Sequence, residues 1–188
     1  LGVKRLITGN AAVSVSVGEK LCVVGLADGL KLEAEEVILA VPPSVWQRMA
    51  IDPPLPGLLR PQMGSNVKYL AAVKGRFWEA AKLSQYCLTD GPVSMTWDAT
   101  DNQKEGEAGA CLTSFSGGPA SETCRQWSKE ERNEKYLAEL ERCYPEIRKN
   151  FVEARFMDWP GEYWTGASYS FPAPGQITAM GEILHTGL

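Results

Sequence analysis

Lys68 stands in the stretch NVKYLAAV, where Val67, Tyr69, Ala71 and Val73 alternate with Lys68, Leu70 and Ala72. That alternation is the period-two signature of a strand, and it puts the lysine on one face with Leu70 and Ala72. If that face looks inward, the amine sits among apolar groups that disfavour its charged form, and it can act on a water or a carbonyl. The plain alternative is a lysine whose stem runs along apolar surface with its ammonium in solvent. A second concentration of chemistry-bearing types is DWPGEYWTGASYSFPAPG, in which Trp159, Tyr163, Trp164, Tyr169 and Phe171 interleave with Gly161, Gly166 and Gly175. Aromatic rings on a glycine-bent backbone can wall a cage for a cation, a sugar or a planar ring. They can equally pin a loop to a core. Met95 and Trp97, two apart in PVSMTWDA, share a strand face, where core packing is the default.

Other chemistry is excluded by what is missing. There is no G-x-G, hence no phosphate-cradling turn for a dinucleotide, and no Walker loop, H-E-x-x-H or G-x-S-x-G. The single histidine, His185, has no partners around it that would make a metal centre or a Ser-His-Asp triad. Cys22, Cys87, Cys111, Cys124 and Cys143 are odd in number, irregularly spaced and without a C-x-x-C. Neither a disulfide framework nor a zinc site is expected from them; they read as small buried hydrophobes in a reducing compartment, which points to a cytoplasmic protein. With 19 basic and 23 acidic residues, net charge −4, there is no bulk charge to attract nucleic acid or an anionic membrane. No apolar run approaches the roughly 20 residues that span a bilayer, and the first residues lack the pattern of a signal peptide. At 188 residues and 44% hydrophobic content the chain can bury a globular core of one domain or somewhat more.

The elements that must position these residues follow from the hydrophobic pattern. AVSVSV, KLCVVGL and LKLEA predict three strands joined by hairpins at Gly18-Glu19 and Asp28-Gly29, the second in a primed turn with positive φ at both central residues. VILAV (37–41) is apolar at every position and predicts a strand buried on both faces. Pro42-Pro43 ends it, and Ser44 is placed to cap a short helix carrying Val45, Trp46 and Met49. The Pro/Gly-rich IDPPLPGLLRPQMGS then leads from one sub-domain to another. Beyond it, strands are predicted over 66–73, 84–88, 92–99, 109–115 and 150–159. The clearest helix runs from Ser128 to Tyr144: Ser128 and Glu131 make a capping box, Tyr136, Leu137, Leu140, Cys143 and Tyr144 form one stripe, and Pro145 stops it.

From Val37 onward the sequence resembles the flavin-dependent amine oxidases, the family of monoamine and polyamine oxidases, and the likeness extends over essentially the whole chain. It rests on pieces in the family's order: the meander with VILAVPPS, the crossover with IDPPLP, the strand PQMGSNVKYLAAVKGRFW, PVSMTWDAT, GACLTSFSGG, the helix SKEERNEKYLAEL, and DWPGEYWTGASYSFPAPG. The resemblance implies an α+β fold in which a mixed β-sheet flanked by helices, the substrate domain, adjoins a β-meander remnant of an FAD-binding domain. Residues 1–50 would belong to the FAD-binding domain, 51–157 to the substrate-binding domain, and 158–188 to an incomplete return toward the flavin. It implies an oxidoreductase that converts an amine to an imine, and then to an aldehyde or ketone, while oxygen becomes hydrogen peroxide.

By the same resemblance Lys68 matches the lysine that holds a water near the flavin and is the catalytic and cofactor-contacting candidate. Trp159 matches the tryptophan packed beside the flavin ring, and Tyr169, ten residues later, one wall of the aromatic cage that aligns the amine. Met95 and Trp97 fall on the substrate-cavity strand and are substrate-binding candidates. The residue before Tyr169, cysteine in members that bind flavin covalently, is Ser168 here, so FAD would be held non-covalently. The dinucleotide fingerprint and the family's closing G-E-H-T stretch are not in the sequence. The chain is therefore expected to be a fragment that alone neither retains FAD nor turns over amines, with an amine and the remainder of the FAD-binding domain as its partners. A homo-oligomer is compatible with this. The alternative is a free-standing binding module without oxidase chemistry; a third reading is a related flavoprotein acting on an amino acid or a carbocycle. Asp98 and Glu162 are available as acidic residues for a polyamine tunnel, and no arginine is identified for a substrate carboxylate.

Overall fold

The structure is a computed structural model that describes residues 6–103 and 109–186. The chain divides into two compact units, one built from residues up to Met63 with Trp164–Gly166 and the residues from Ser170, the other from Gly64–Tyr163 with Ala167–Tyr169.

In the first unit, β1 (Ala12–Val17), β2 (Cys22–Leu26) and β3 (Lys31–Ala34) form the expected meander, and β4 (Ala50–Asp52) pairs parallel to β1, giving the order β3-β2-β1-β4. Alternation drives it: Val15, Cys22 and Leu26 are buried while their neighbours face outward. The Asp28-Gly29 turn differs from the primed type. Among the described non-glycine residues only Lys82 has positive φ, so of the pair only Gly29, at φ 91°, is left-handed. Leu26 N–H donates to the Leu30 carbonyl (2.8 Å) and Gly29 N–H to the Leu26 carbonyl (3.0 Å), which is a three-residue loop closed by a left-handed glycine. Asp28 does not have a positive φ and accepts from Leu30 N–H through Oδ1 (2.9 Å).

Two other expectations in this unit fail. VILAV forms no strand, and Ile38 is 90% exposed. An apolar run specifies that a segment should be buried but not what it pairs with, and a strand exists only through a ladder. Ser44 caps nothing: Pro42 occupies the cap position of a 3₁₀ turn over Pro43–Arg48, while the Ser44 hydroxyl donates to the Thr165 carbonyl.

The second unit is a five-stranded antiparallel sheet in the order β10-β6-β9-β8-β7. After β5 (Met63–Gly64) come β6 (Asn66–Val73), the short α1 (Phe77–Ala80), β7 (Cys87–Leu88), β8 (Met95–Asp98) and β9 (Ala110–Gly117). Three helices follow, α2 (Pro119–Gln126), α3 (Lys129–Cys143) and α4 (Ile147–Asn150), then β10 (Phe151–Met157) and the two-residue β11 (Tyr169–Ser170). The last element, α5 (Gln176–Thr186), belongs to the first unit. α3 begins at the expected capping box: Glu131 N–H donates to Ser128 Oγ (3.2 Å) and Ser128 N–H to Glu131 Oε2 (3.0 Å).

The odd-numbered residues of β6, Val67, Tyr69, Ala71 and Val73, enter one core with Leu112, Tyr136, Leu140, Tyr144 and Ile147. Tyr69 and Tyr136 stack face to face with ring centroids 4.3 Å apart, and burial pushes the Tyr69 phenol up to about 12. Helices therefore cover one face of this sheet. Contrary to the expectation of five unpaired thiols, Cys87 of β7 and Cys143 at the end of α3 are joined in a disulfide, Cα to Cα 6.6 Å, while Cys22, Cys111 and Cys124 are free. Residues 56 apart are brought together by tertiary packing, which no spacing rule encodes, and cysteine usage no longer argues for a reducing compartment.

Candidate active site on the second face of the sheet

The even-numbered residues of β6 line the sheet's other face. Ladder register puts Lys68 directly opposite Phe115 of β9 on one side and Met157 of β10 on the other, and Phe115 directly opposite Met95 of β8. Because directly opposed residues share a face, Met157, Lys68, Phe115 and Met95 form one row across four strands. The next row is Arg155, Leu70, Thr113 and Trp97. Lys68, Phe115 and Trp97 are half-buried and Met95 is exposed. This is an apolar, aromatic floor with a lysine in its middle.

The lysine is held there by aromatic contact. Its Nζ lies 5.7 Å from the centroid of the Trp97 ring, which itself is 6.3 Å from the Phe115 ring. Among the described residues the ammonium makes no ion pair and no hydrogen bond. The sequence-based grouping of Lys68 with Met95 and Trp97 is thus a grouping in space. Phe115 was missed by sequence reasoning. Its parity within GACLTSF was readable, but its place beside Lys68 depends on the register of β6 against β9.

Tyr169 comes to the near end of the same strand. Ser168 N–H donates to the Gly64 carbonyl (3.0 Å), and Ser168 Oγ both accepts from Asn66 N–H and donates to the Asn66 carbonyl, each at 2.8 Å. The Tyr169 ring then lies against Gly64, where a Cβ would sit 2.8 Å from Cδ2 and closer still to Cε2. Gly64 is needed for that close approach. Trp159 follows β10 by two residues and is 36% exposed. Its neighbour Asp158 is anchored: Oδ1 accepts from Arg125 Nε of α2 (2.7 Å) and from Gly161 N–H (2.9 Å).

Asp98 is a correction. Its neighbours Met95 and Trp97 face the lysine, but Asp98 turns to the helix-covered side, its side chain 1% exposed and paired with Arg76 Nε at 2.7 Å. A carboxylate so placed cannot greet a substrate cation. Glu162 is exposed. No group of three or more His, Cys, Asp or Glu is placed to hold a metal among the described residues.

An apolar floor with one lysine, on strands that lead to an exposed indole and an exposed phenol ring, offers apolar and aromatic contact to a planar ring. Its lining suits an isoalloxazine in chemistry, whereas a nucleotide's phosphates find no glycine-rich cradle in this sequence.

Comparison with known proteins points the same way. The sequence model of a family described as "Flavin containing amine oxidoreductase" matches residues 4–185. The chain is 31% identical over 170 residues to amine oxidase [flavin-containing] B of Homo sapiens, covering 81% of this chain and 31% of that protein. It is 26% identical over 149 residues to putrescine oxidase of Kocuria rosea, covering 77% and 31%. A solved double mutant of putrescine oxidase superposes with a TM-score of 0.82 at 27% identity, over 95% of this chain and 41% of the other. The chain therefore spans about a third of the length of these two curated relatives, 31% of each. No helix among the described residues is long and apolar enough to cross a membrane.

Proposed function

Because this chain belongs to the flavin-containing amine oxidoreductase family, we propose that it supplies the substrate wall of an FAD-dependent amine oxidase, which oxidises an amine to an imine and reduces oxygen to hydrogen peroxide. The observation that carries the proposal is the placement of Lys68 in the centre of an apolar and aromatic sheet face, between Phe115 and Met157 and beside Trp97. On this reading Lys68 holds a water at the reacting end of the site, Tyr169 aligns the amine, and Met95 sets selectivity. FAD, held non-covalently, would serve as the electron acceptor, with Trp159 and Lys68 as the residues of this chain that contact it. The imine is released to hydrolyse to an aldehyde or ketone.

The domain assignment follows the same reading: residues 1–50 belong to the FAD-binding domain, 51–157 to the substrate-binding domain and 158–188 to the return toward the flavin. The isolated chain is expected not to retain FAD through gel filtration; stoichiometric retention would contradict that. The activity is tested by peroxide formation from a panel of amines in the FAD-loaded protein that carries this chain, wild type against Lys68→Met. Peroxide from at least one amine, strongly reduced in the variant, is expected. Peroxide from none, or an unaffected Lys68→Met, sinks the reading.

A further inference from the structure

We propose that Trp97 is a positioning residue for Lys68: its indole face holds the lysine ammonium over the middle of the sheet, so that this ring serves the lysine and not the substrate. The contact is geometry of this chain alone; only its consequence for catalysis rests on the amine oxidase reading.

Three observations carry it. Nζ stands 5.7 Å from the Trp97 centroid, inside the roughly 6 Å reach at which a cation is attracted to a ring face. The groups directly opposite Lys68 on its own sheet face, Phe115 and Met157, offer no anion, and those of the next row are Leu70, Thr113, Trp97 and the cation Arg155. The carboxylate closest to Trp97 in sequence, Asp98, faces the opposite side and is engaged by Arg76. Among the described residues, the one electrostatic contact of this ammonium is thus the π face of the indole. Trp97 is in turn backed by Phe115, whose ring lies 6.3 Å away at 42°, and fixed in its strand by pairing with Thr113. Lys68 on β6 and Trp97 on β8 meet across the intervening strand β9.

This changes the part expected of Trp97. A substrate ammonium seeking the same ring face would meet the Lys68 charge already there, and like charges at one spot disfavour binding. Substrate contact on this strand falls to Met95, with Phe115 beside it, and Trp97 acts through the lysine.

The test reads the contact directly. Lysines of the chain are reductively methylated with ¹³C-formaldehyde, which keeps their charge, and the Lys68 methyl signal is assigned by its loss in Lys68→Arg. It is expected upfield of the other lysine signals because it lies over an indole. Trp97→Leu should return it to the position of the others, and Trp97→Phe, which restores a smaller ring face, should recover part of the shift. A Lys68 signal that coincides with the others in the wild type, or that stays upfield in Trp97→Leu, overturns the proposal. If Trp97→Leu does not fold by far-UV circular dichroism, Trp97→Phe decides: an undiminished shift overturns the proposal, a reduced one supports it. No flavin or amine enters this measurement. An upfield Lys68 signal in a protein that forms no peroxide would count against the amine oxidase reading and leave the contact standing.

Discussion

The Ser168 hydroxyl closes a two-way bond with the backbone of Asn66, accepting from its N–H and donating to its carbonyl, both at 2.8 Å and across 102 residues of sequence. Asn66 is the first residue of the strand that carries Lys68, and Ser168 directly precedes Tyr169. That hydroxyl, together with the Ser168 N–H bond to the Gly64 carbonyl, ties the aromatic segment to the lysine strand.

Ser168→Ala should destabilise the second unit by about 2 kcal/mol, because it leaves both backbone groups of a buried residue without their partner. Urea unfolding of the two chains measures this, and equal midpoints would show that the bond contributes nothing. Ser168→Thr, which keeps the hydroxyl, should recover most of the loss.

Gly64→Ala should displace the Tyr169 ring, since the new methyl would occupy the ring's space. The expected cost is about 1–3 kcal/mol of overpacking. Tyr169→Ala removes the obstacle, so the double variant Gly64→Ala/Tyr169→Ala should lose less than the sum of the two single changes. Strict additivity in a double-mutant cycle would place the ring elsewhere.

The Asp98 carboxylate gives the fold an acid-sensitive component. Burial raises its pKa, but hydrogen bonds from the Thr100 hydroxyl (2.6 Å), Arg76 Nε (2.7 Å) and Thr100 N–H (2.7 Å) outweigh burial and hold it below the usual carboxylate range. With the folded value depressed, the unfolded chain takes the proton first as pH falls. The stabilisation is complete above about pH 4 and is lost as pH drops through the folded value. The stability gap between wild type and Asp98→Asn should therefore stay constant above about pH 5 and narrow below about pH 4. A gap that does not change with pH contradicts this.

The Cys87–Cys143 bond closes a loop with a sequence separation of 56, which by the chain-entropy account stabilises the fold by about 4 kcal/mol at most. Alkylation of the unfolded, unreduced chain should label three cysteines, Cys22, Cys111 and Cys124, and all five after reduction. Five labels without reductant would show that the bond does not form. Reduction should also lower the urea midpoint.

Local pattern determined a good part of this protein. The alternation in NVKYLAAV put Lys68 on the face opposite Val67 and Tyr69, and the capping box at Ser128 began α3 where expected, because strand parity and helix caps are properties of neighbouring residues. Met95 and Trp97 were legible as one face for the same reason. What packing decided lies in relations between distant segments. Register set Phe115 beside Lys68, and tertiary packing gave Asp98 its partner Arg76. A hydroxyl 102 residues away brought Tyr169 to the strand, and two cysteines 56 apart met. VILAV shows the limit from the other side: its composition demanded burial, but a strand also needs a ladder partner, and a sequence states the demand without naming the neighbour.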